Sequence, residues 1–517
     1  MGSIMVRESN KEGKIKNDND QKAGSNSWTD SFLCVSDFTG SVCSNSNSNR
    51  FDTTEIYRSS DRNSSFVAYN ITFAVRKYRR KILFWMGVIL MIISIVAEGA
   101  VGIYLYKTSR TLDSVTGINS EKTQMDIYIK KDSDIEMLME LTNGTFGILK
   151  ELDRENTDKA LEQIFYKNGQ EPKIKEYDSL SDLSSGILNE ECDAVILNRA
   201  YQEVLQQIKE GQNFLENTRI LDTEEIESLI ERKQPENIEE SDDKNTSETK
   251  SEDVSTIYIS GIDTRGEITA SSLSDVNIIL TMNRKTKQIL MVSTPRDYYV
   301  PLSISDGKKD KLTHAGIYGI NVCMDTLEML YNIDIDYYFR LNFGGFIKII
   351  DTLGGITLDS DYEFDTQNAK GYHFQKGKNQ VNGEEALAFC RERYSFAEGD
   401  RQRGRNQMAV IRGVADKLTS TELLKNYLSL LDSIQGCFES NIPYEKVAEW
   451  IQGQLAENAR WTILSYSVDG TGDTQKPYSM SQNAYVMVPD TSTVEKAQLL
   501  MQKVREGFLL SDADVER

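Results

Sequence analysis

The stretch DVNIILTMNRKTKQILMVSTPRD, residues 275–297, decides the fold of the larger part of this chain. Two β-branched, apolar runs flank the polar turn NRKTK, which is the pattern of a β-hairpin. A turn centred in NRKTK pairs residues whose numbers sum to about 571, so Asp275 and Arg296 should face each other across the two strands. The preceding run, STIYISGID, reads as a third strand that ends at Asp263. We therefore expect a β-sheet with two carboxylates and an arginine at one edge.

That edge has the residue types of a magnesium–phosphate site. Carboxylate oxygens are the ligands that Mg²⁺ prefers, and a guanidinium presents a planar fork to phosphate oxygens. The pattern makes Asp263 and Asp275 candidate metal ligands and Arg296 a candidate phosphate ligand. The alternative, that the ends of strands simply carry polar residues, stays open at this point.

A second charged stretch, CRERYSFAEGDRQRGRNQ, carries five arginines in residues 390–407. A repeat of two places Arg391 and Arg393 on one face of an extended segment. A helical pattern from about Arg403 places Gln407 on the same helix face as Arg403. These three arginines are candidates for binding a dense anion, helped by the positive potential of a helix N-terminus.

The other charged residues of this stretch have less specific roles. Asp400 is expected in the loop before the helix, and Arg401 and Arg405 are expected to be solvated. Upstream, the helix FGGFIKIIDTL places Phe346 on an apolar face, which is more often core than a lipid groove. His314 is expected to brace a turn rather than to catalyse.

Composition excludes several classes of protein. The chain has 59 Lys and Arg against 80 Asp and Glu, a net charge of −21, which argues against a general nucleic-acid binder. Two histidines exclude a multi-His metal site and disfavour a Ser-His-Asp mechanism. Six cysteines without a CxxC motif disfavour a structural zinc site. A disulfide between Cys323 and Cys437 is expected if this region lies outside the cell.

The first part of the chain predicts a membrane anchor. Residues 1–75 are rich in Ser, Asn and Asp and are expected to be a disordered cytoplasmic tail. Residues 76–81 are basic, and residues 82–106 are almost wholly apolar. As a helix this apolar segment would measure roughly 37 Å, enough to cross a bilayer once. The basic flank predicts a cytoplasmic N-terminus, so everything after the anchor should be extracytoplasmic.

Three further regions follow the predicted anchor. Residues 124–231 alternate strand and helix patterns, which predicts a small α/β domain. Residues 232–254 are an acidic linker without apolar content. Residues 255–510 have the pattern of a larger globular domain, in which both charged stretches lie.

The motifs of this larger domain together resemble the catalytic domain of the LytR-CpsA-Psr (LCP) family. They are, in the family's order, GIDTR, SDVNIILTMN, STPRDYYVPL, DKLTHAGIYG, YYFRLNFGGFIKIIDTLGGI, VNGEEALAFCRER and GDRQRGRNQ. The resemblance implies an α/β fold with a central, mostly antiparallel β-sheet flanked by helices. In this chain an accessory α/β domain and one transmembrane helix would precede it.

The resemblance also implies an activity. Members are Mg²⁺-assisted phosphotransferases of the Gram-positive cell wall that move a glycopolymer, such as teichoic acid or capsule, from an undecaprenyl diphosphate carrier to peptidoglycan. Implied metal ligands are Asp263 and Asp275. Implied catalytic residues are Arg296, Asp297, Arg391, Arg393, Asp400 and Arg403, of which the four arginines also bind substrate together with Gln407 and Phe346.

One departure keeps other functions open. Many members have Arg-Ser-Asp where this chain has LSD, so Leu273 replaces an expected phosphate-facing arginine. The alternatives are a membrane-anchored protein that binds polyprenyl-diphosphate precursors without transferring them, and a lipid-diphosphate hydrolase. A transcriptional attenuator is disfavoured by the predicted membrane span and by the acidic charge.

Overall fold

The computed structural model describes Met91 and residues 120–229, 253–262, 272–369, 371–418 and 438–516. Contacts divide the chain into two units, 1–102 and 103–517, and only the helical Met91 of the first is described. The predicted tail and basic flank lie outside the described residues, and so do Asp263 and Cys437. Of the predicted membrane helix only Met91 is described, and of the acidic linker only residues 253 and 254. Across the described ranges, no helix is both long and apolar enough to traverse a bilayer.

Residues 120–229 form a five-stranded sheet with helices, in the strand order β3-β2-β4-β1-β5. Strand β4 pairs parallel with β2 and antiparallel with β1. The strands are β1 (Ser120–Lys130), β2 (Thr145–Leu149), β3 (Lys173–Tyr177), β4 (Ala194–Asn198) and β5 (Thr218–Leu229). The helices are α1 (Arg154–Asn168), α2 (Leu180–Leu188), α3 (Gln202–Leu205) and α4 (Lys209–Asn217), with 3₁₀ turns at Leu138–Leu141 and Arg199–Tyr201.

A six-stranded sheet dominates the rest, in the order β16-β11-β6-β7-β8-β17. Its members are β6 (Val254–Ile262), β7 (Val276–Asn283), β8 (Gln288–Ser293), β11 (Tyr337–Asn342), β16 (Phe438–Ser440) and β17 (Thr462–Ser467). The hairpin β7–β8 has the predicted register, since Ile278 pairs with Ser293 and Asn283 with Gln288. Strands β11 and β17 run parallel to β6 and β8, and the other three pairings are antiparallel, so the sheet is mostly antiparallel, as predicted, with two parallel pairings.

Short strands connect the elements of this sheet. They are β9 (Tyr299–Pro301), β10 (Lys309–Lys311), β12 (Ile356–Ser360), β13 (Phe364–Asp365), β14 (His373–Phe374), β15 (Gly377–Val381), β18 (Gly470–Gln475) and β19 (Ala484–Pro489). They form the antiparallel pairs β9–β10, β12–β15, β13–β14 and β18–β19 beside the main sheet.

Helices flank the six-stranded sheet. They are α5 (Ile320–Tyr331), α6 (Phe343–Thr352), α7 (Gly383–Arg391), α8 (Asp400–Leu418), α9 (Tyr444–Glu457), α10 (Thr491–Arg505) and α11 (Asp512–Val515), with a 3₁₀ helix at Leu312–Tyr318. Asn342 caps α6 by accepting from the Gly345 amide, and Asn382 forms a capping box with Glu385 at the start of α7. The Asn342 cap explains why strand β11 turns into α6 without a loop. The fold is a mixed α/β fold.

The five-stranded unit is not a separate body, because it shares a hydrophobic core with the larger part. Leu273, Ile317 and Met480 lie in one buried cluster with side chains of α2, α3 and β4. The residues before β7 reach this cluster by packing on the 3₁₀ helix, where the Ser274 amide donates to the Thr313 carbonyl. Leu273 is therefore a core residue of the junction, 6% exposed.

The cysteine prediction is not supported. Cys323 is a free thiol in α5, and it is buried in the core of the six-stranded sheet. Burial raises the pKa of this thiol to about 12, so it stays protonated. Its predicted partner Cys437 lies outside the described residues. Apolar packing explains Cys323 without a bridge.

Candidate functional site

The hairpin brings the first half of the site together. Arg296 Nη1 lies 2.9 Å from Asp275 Oδ1, across the two strands as the register predicts. The Asp275 amide donates to the Gly261 carbonyl, which places the end of β6 beside it. Asp297 follows, with Oδ2 at 3.7 Å from Arg296 Nε. Arg296 thus lies between two carboxylates at one end of the sheet.

Electrostatics explain how Arg296 tolerates this partly buried position. Burial opposes its charge, but Asp275 and Asp297 outweigh burial and raise the pKa of Arg296 above its ordinary value. A guanidinium is charged at every relevant pH, so the site holds a permanent cation.

The second half lies at the N-terminus of α8. Asp400 is the first residue of this helix, and its Oδ1 lies 3.3 Å from Arg403 Nη1 and 3.8 Å from Arg393 Nη1. The same oxygen is buried and has no hydrogen-bond partner within the described ranges. Two guanidinium groups therefore lie near one carboxylate oxygen, but neither forms a hydrogen bond with it.

A glycine brings the two halves close. A Cβ on Gly404 would lie 3.0 Å from Ser293 Oγ, so the first turn of α8 lies directly against the end of β8. The charges respond to this proximity: burial, then Arg296 and Arg393, lower the pKa of Arg403, against the opposite effect of Asp400. We call the residues Asp275, Arg296, Asp297, Lys311, Arg393, Asp400 and Arg403 the arginine cluster.

Lys311 belongs to this cluster but was not singled out from the sequence. Its Nζ lies 3.2 Å from Asp297 Oδ1, and the residue is only 7% exposed. A lysine so deeply buried needs a carboxylate partner. The motif DKLTHAG contained it, but a lysine beside an aspartate in a polar loop has no distinctive pattern. With Lys311, the cluster holds four cations and three carboxylates.

Glu392 is a second residue that sequence reasoning missed. It is fully buried, and its carboxylate accepts hydrogen bonds from the backbone amides of Gln367, Asn368, Arg393, Tyr394 and Ser395. Burial alone would raise the pKa of Glu392, but these amides lower it below its ordinary value. Glu392 therefore fixes the turn from which Arg393 reaches Asp400. No sequence pattern marks this role, because the partners of Glu392 are backbone amides.

The remaining predicted residues lie around the cluster. Helix α7 extends to Arg391, whose guanidinium carbon lies 4.5 Å from the centre of the Phe343 ring at the start of α6. Phe346 is half-buried against a hydrophobic cluster that includes Ile350 and Phe389. Gln407 is half-buried on α8. Arg391 and Phe346 thus lie along α6, while Arg393 lies in the arginine cluster.

The prediction that Arg401 and Arg405 are solvated is wrong. Arg401 Nε lies 2.6 Å from Asp469 Oδ1, and its Nη2 donates to the Gly470 carbonyl at 2.6 Å. Arg405 pairs with Glu398 and donates to Gln402 at 2.8 Å. Both side chains hold α8 to neighbouring segments.

His314 braces a buried turn, as expected. Its Nδ1 lies 2.7 Å from both Asp310 Oδ1 and Ser479 Oγ, and all three residues are buried. Because the aspartate and the serine share one ring nitrogen, the histidine cannot relay a proton from one to the other. This group is a structural link between β10 and the segment before β19.

The described residues do not by themselves form a metal centre. They contain no group of three or more His, Cys, Asp or Glu side chains that could hold an ion. Asp275 supplies one carboxylate at the sheet edge, and Asp263, the other candidate ligand, directly follows the last residue of β6 in the sequence.

Comparison with known proteins places these features in a family. The model of the LytR_cpsA_psr family matches residues 220–503, more than half of the chain. A second model, of a DNA polymerase processivity factor, matches residues 86–197, a much shorter stretch that does not establish membership.

Curated relatives match part of this chain. The polyisoprenyl-teichoic acid–peptidoglycan teichoic acid transferase TagU of Bacillus anthracis is 37% identical over 200 residues, which cover 38% of this chain and 64% of the relative. TagU of Bacillus licheniformis is 34% identical over 200 residues, covering 38% and 63%. The chain thus spans somewhat less than two thirds of the length of these relatives.

Solved structures are also similar to part of this chain. TagV of B. subtilis is 26% identical, with 50% of this chain and 100% of that chain covered and a TM-score of 0.42. TagT bound to LI-WTA is 25% identical, with 49% and 90% covered and a TM-score of 0.39. Scores of this size do not establish a shared fold on their own, so the assignment rests on the family model. By that match, this chain belongs to the LytR_cpsA_psr family.

Proposed function

We propose that this chain is a phosphotransferase that moves a glycopolymer from an undecaprenyl diphosphate carrier to peptidoglycan. The observation that carries the proposal is the convergence of Arg296, Arg393 and Arg403 at one end of the six-stranded sheet. The names of the TagU relatives support the donor and acceptor, since they specify a polyisoprenyl-linked teichoic acid and peptidoglycan. Teichoic acid is therefore the first polymer to test, with capsule polysaccharide as an alternative of the same chemical class.

A diphosphate suits the arginine cluster electrostatically. Its oxygens can replace the carboxylates as partners of the guanidinium groups, because Asp400 Oδ1 is held only at 3.3 and 3.8 Å. The carboxylates Asp275 and Asp400 keep the arginines separated and oriented before the substrate binds. The N-terminus of α8 adds positive potential at the same place.

The proposed reaction exchanges one phosphoryl acceptor for another. A muramic acid hydroxyl attacks the phosphorus attached to the glycopolymer, and a new phosphodiester forms. The bond from that phosphorus to the bridging oxygen breaks, and the carrier leaves as undecaprenyl phosphate. The hydroxyl proton passes to a carboxylate such as Asp297 or to water. The arginines stabilise the charge that develops on the phosphoryl oxygens, as in other phosphoryl transfers.

Magnesium is part of the proposal. Asp275 Oδ1 already accepts from Arg296, and the amide of Asp275 is bonded to Gly261, two residues before Asp263. The two carboxylates are thus the residues that would hold Mg²⁺. When bound, the ion would neutralise phosphate charge. Removal of metal with a chelator should then lower transfer.

The lipid and the membrane complete the proposal. Phe346 and Ile349 of α6 lie half-buried at the margin of a hydrophobic cluster, and Arg391 stacks on Phe343 at the start of the same helix. We propose that the polyprenyl chain binds there, with Arg391 at the boundary between lipid and diphosphate. The predicted single-pass anchor at 82–106 would keep the catalytic part at the outer face of the membrane, where this lipid is found.

Leu273 no longer argues for a protein that binds without transferring. The structure gives a reason for an apolar residue there, because Leu273 packs in the core shared with the five-stranded unit. Lys311, beside Asp297, supplies the arginine cluster with a cation in addition to its three arginines.

A transfer assay tests the proposal. The full chain, in detergent, is incubated with a radiolabelled lipid-diphosphate glycan, a peptidoglycan oligomer and Mg²⁺, and label on the acceptor is counted. Arg393→Ala should lower transfer about 100-fold or more, as for the loss of one preorganised donor to a transition state. Asp275→Asn should lower it as well. Arg412→Ala is the matched control, since Arg412 is an exposed arginine on the same helix α8 and donates to the Ile463 carbonyl, away from the arginine cluster.

The outcomes separate the candidate functions. Label on peptidoglycan that disappears in both site variants and persists in the control supports the transferase. Free glycan phosphate without label on the acceptor would favour a lipid-diphosphate hydrolase. Tight binding of the lipid without any turnover would favour a binding protein.

A further inference from the structure

The hairpin β18–β19 is tied to both halves of the arginine cluster. The Met487 amide of β19 donates to the Asp297 carbonyl at 2.7 Å, and Met487 also bridges to Tyr298. On the other side, Arg401 of α8 bonds Asp469 and the Gly470 carbonyl at the start of β18. The hairpin is therefore positioned by residues directly next to Asp297 and Asp400.

One tyrosine of this hairpin is unusually exposed. Tyr485 lies on β19, pairs with Thr474 of β18 and is 53% exposed. A Cβ on Gly472 would lie 3.0 Å from the Tyr485 ring. The ring therefore rests against the bare backbone of β18, in the space that a side chain at position 472 would fill. One side of the ring is supported, and about half of its surface is open to solvent.

Charges of the arginine cluster reach the Tyr485 hydroxyl. Burial raises the pKa of Tyr485, Asp297 and Asp400 raise it further, and Arg401 opposes them. Both carboxylates come from the cluster, so the exposed ring lies within electrostatic range of the place proposed for phosphate. The phenol stays neutral at physiological pH and offers an aromatic face with a polar tip.

We infer that Tyr485 is a stacking platform for a pyranose ring next to the reacting phosphate. This inference rests on the proposed function, which brings a sugar to each side of that phosphate. The C–H face of a pyranose is apolar and carries partial positive charge, which suits the face of an aromatic ring. Aromatic side chains with few rotatable bonds provide such contact at low entropic cost.

Two sugars could occupy this platform: the first sugar of the lipid-linked donor, or a sugar of the peptidoglycan acceptor. Both present the same chemistry, a pyranose face. Separate probes distinguish them. The donor probe is a short-chain polyprenyl diphosphate bearing N-acetylglucosamine, with the same polyprenyl diphosphate without sugar as its reference. The acceptor probe is the disaccharide of N-acetylglucosamine and N-acetylmuramic acid.

The experiment measures the affinity of the full chain for each probe by calorimetry. Tyr485→Ser should weaken binding of one sugar-bearing probe about tenfold, the size of one aromatic contact. The same variant should leave the affinity for the sugar-free diphosphate unchanged. Tyr485→Phe should retain the affinity of the native protein. Tyr166→Ser, which removes a tyrosine that is 74% exposed in the five-stranded unit, is the control and should change nothing.

Several results would overturn the inference. The inference is wrong if Tyr485→Ser binds the donor probe and the acceptor probe as tightly as the native protein does. It is also wrong if the sugar adds nothing to the affinity of the native protein for either probe. Equal weakening of the sugar-free diphosphate would make Tyr485 part of the phosphate site instead. Failure of the proposed function is a separate result, because it would appear as absent transfer whether or not Tyr485 affects sugar binding.

Discussion

Two groups of arginine and carboxylate residues in this molecule have opposite character. In the first, Arg340 of β11 is 2% exposed, and its Nη1 lies 2.9 Å from Glu121 and 3.5 Å from Glu439. In the second, the arginine cluster, side chains remain partly exposed and Asp400 Oδ1 lacks a hydrogen bond within the described ranges. We call the first group closed, because its guanidinium is almost fully buried between its own carboxylates. We call the second group open, because the side chains of Arg296, Arg393 and Arg403 are 25%, 34% and 12% exposed and can reach another anion.

This difference separates structural charge from charge that serves a ligand. Around Arg340, burial opposes the cation, but Glu121 and Glu439 outweigh it and raise the pKa of the guanidinium. Around Arg403, burial and two neighbouring arginines lower the pKa, so the fold holds like charges together at a cost. Sites that bind substrates commonly carry such unfavourable local interactions.

The largest expected effect is on the closed group. Arg340→Ala leaves Glu121 and Glu439 without their shared cation, which should lower the free energy of unfolding by about 3–5 kcal/mol. Urea unfolding of the full chain, followed by circular dichroism, measures it. A loss under 1 kcal/mol would mean that Arg340 is as dispensable for the fold as a surface residue.

Arg403→Ala tests the open group. Transfer should fall about 100- to 1000-fold, because one preorganised cation is lost from the transition state. The free energy of unfolding should change by less than about 1 kcal/mol, because removing Arg403 also relieves repulsion from Arg296 and Arg393. The transfer assay and urea unfolding, run side by side with Arg340→Ala, should show opposite patterns. If Arg403→Ala destabilised the protein as much as Arg340→Ala does, the distinction between the two groups would be lost.

Glu392 gives the smallest effect and a pH signature. Glu392→Gln turns an amide –NH₂ toward backbone amides that need an acceptor, which should lower the free energy of unfolding by about 2 kcal/mol at pH 7. The folded-state pKa of Glu392 lies below its ordinary value of 4.5, so the carboxylate stabilises the protein at pH values above 4.5. This contribution is lost as the pH falls through the lower, folded-state pKa.

Urea unfolding of native protein and Glu392→Gln between pH 7 and pH 3 provides the measurement. The difference between the two proteins should be constant down to about pH 5 and then shrink. A difference that stayed constant to pH 3 would show that the backbone amides do not depend on the charge of Glu392. In the transfer assay without urea, weaker transfer by Glu392→Gln would show that the turn held by Glu392 positions Arg393.

Local pattern was sufficient to predict the hairpin and much of the cluster geometry. The spacing around NRKTK predicted that Asp275 and Arg296 would face each other, and they form an ion pair. The pattern also predicted the helix that carries Arg403, but Asp400, expected in the loop before it, is the first residue of that helix and lies beside Arg403. The assignment of these residues to catalysis and substrate binding stays a prediction, because geometry alone does not test it.

Long-range contacts explain what the sequence did not reveal. Arg401 pairs with Asp469, a residue far along the chain, so no local pattern marks the pair. The parallel pairings of β11 with β6 and of β17 with β8 likewise join segments separated by many residues. Glu392 was missed for another reason: its partners are backbone amides, which every residue type supplies.

The core shared by Leu273, Ile317, Met480 and the five-stranded unit has a consequence for how this protein can change over evolution. A domain that is joined to its neighbour only by a linker can be exchanged between proteins without exposing the neighbour's core. Here, removal of residues 120–229 would expose those three side chains and take Glu121 from Arg340. An arginine restored at position 273 would in turn be buried in an apolar junction. The two parts are therefore expected to be inherited together, each limiting the substitutions that the other can accept.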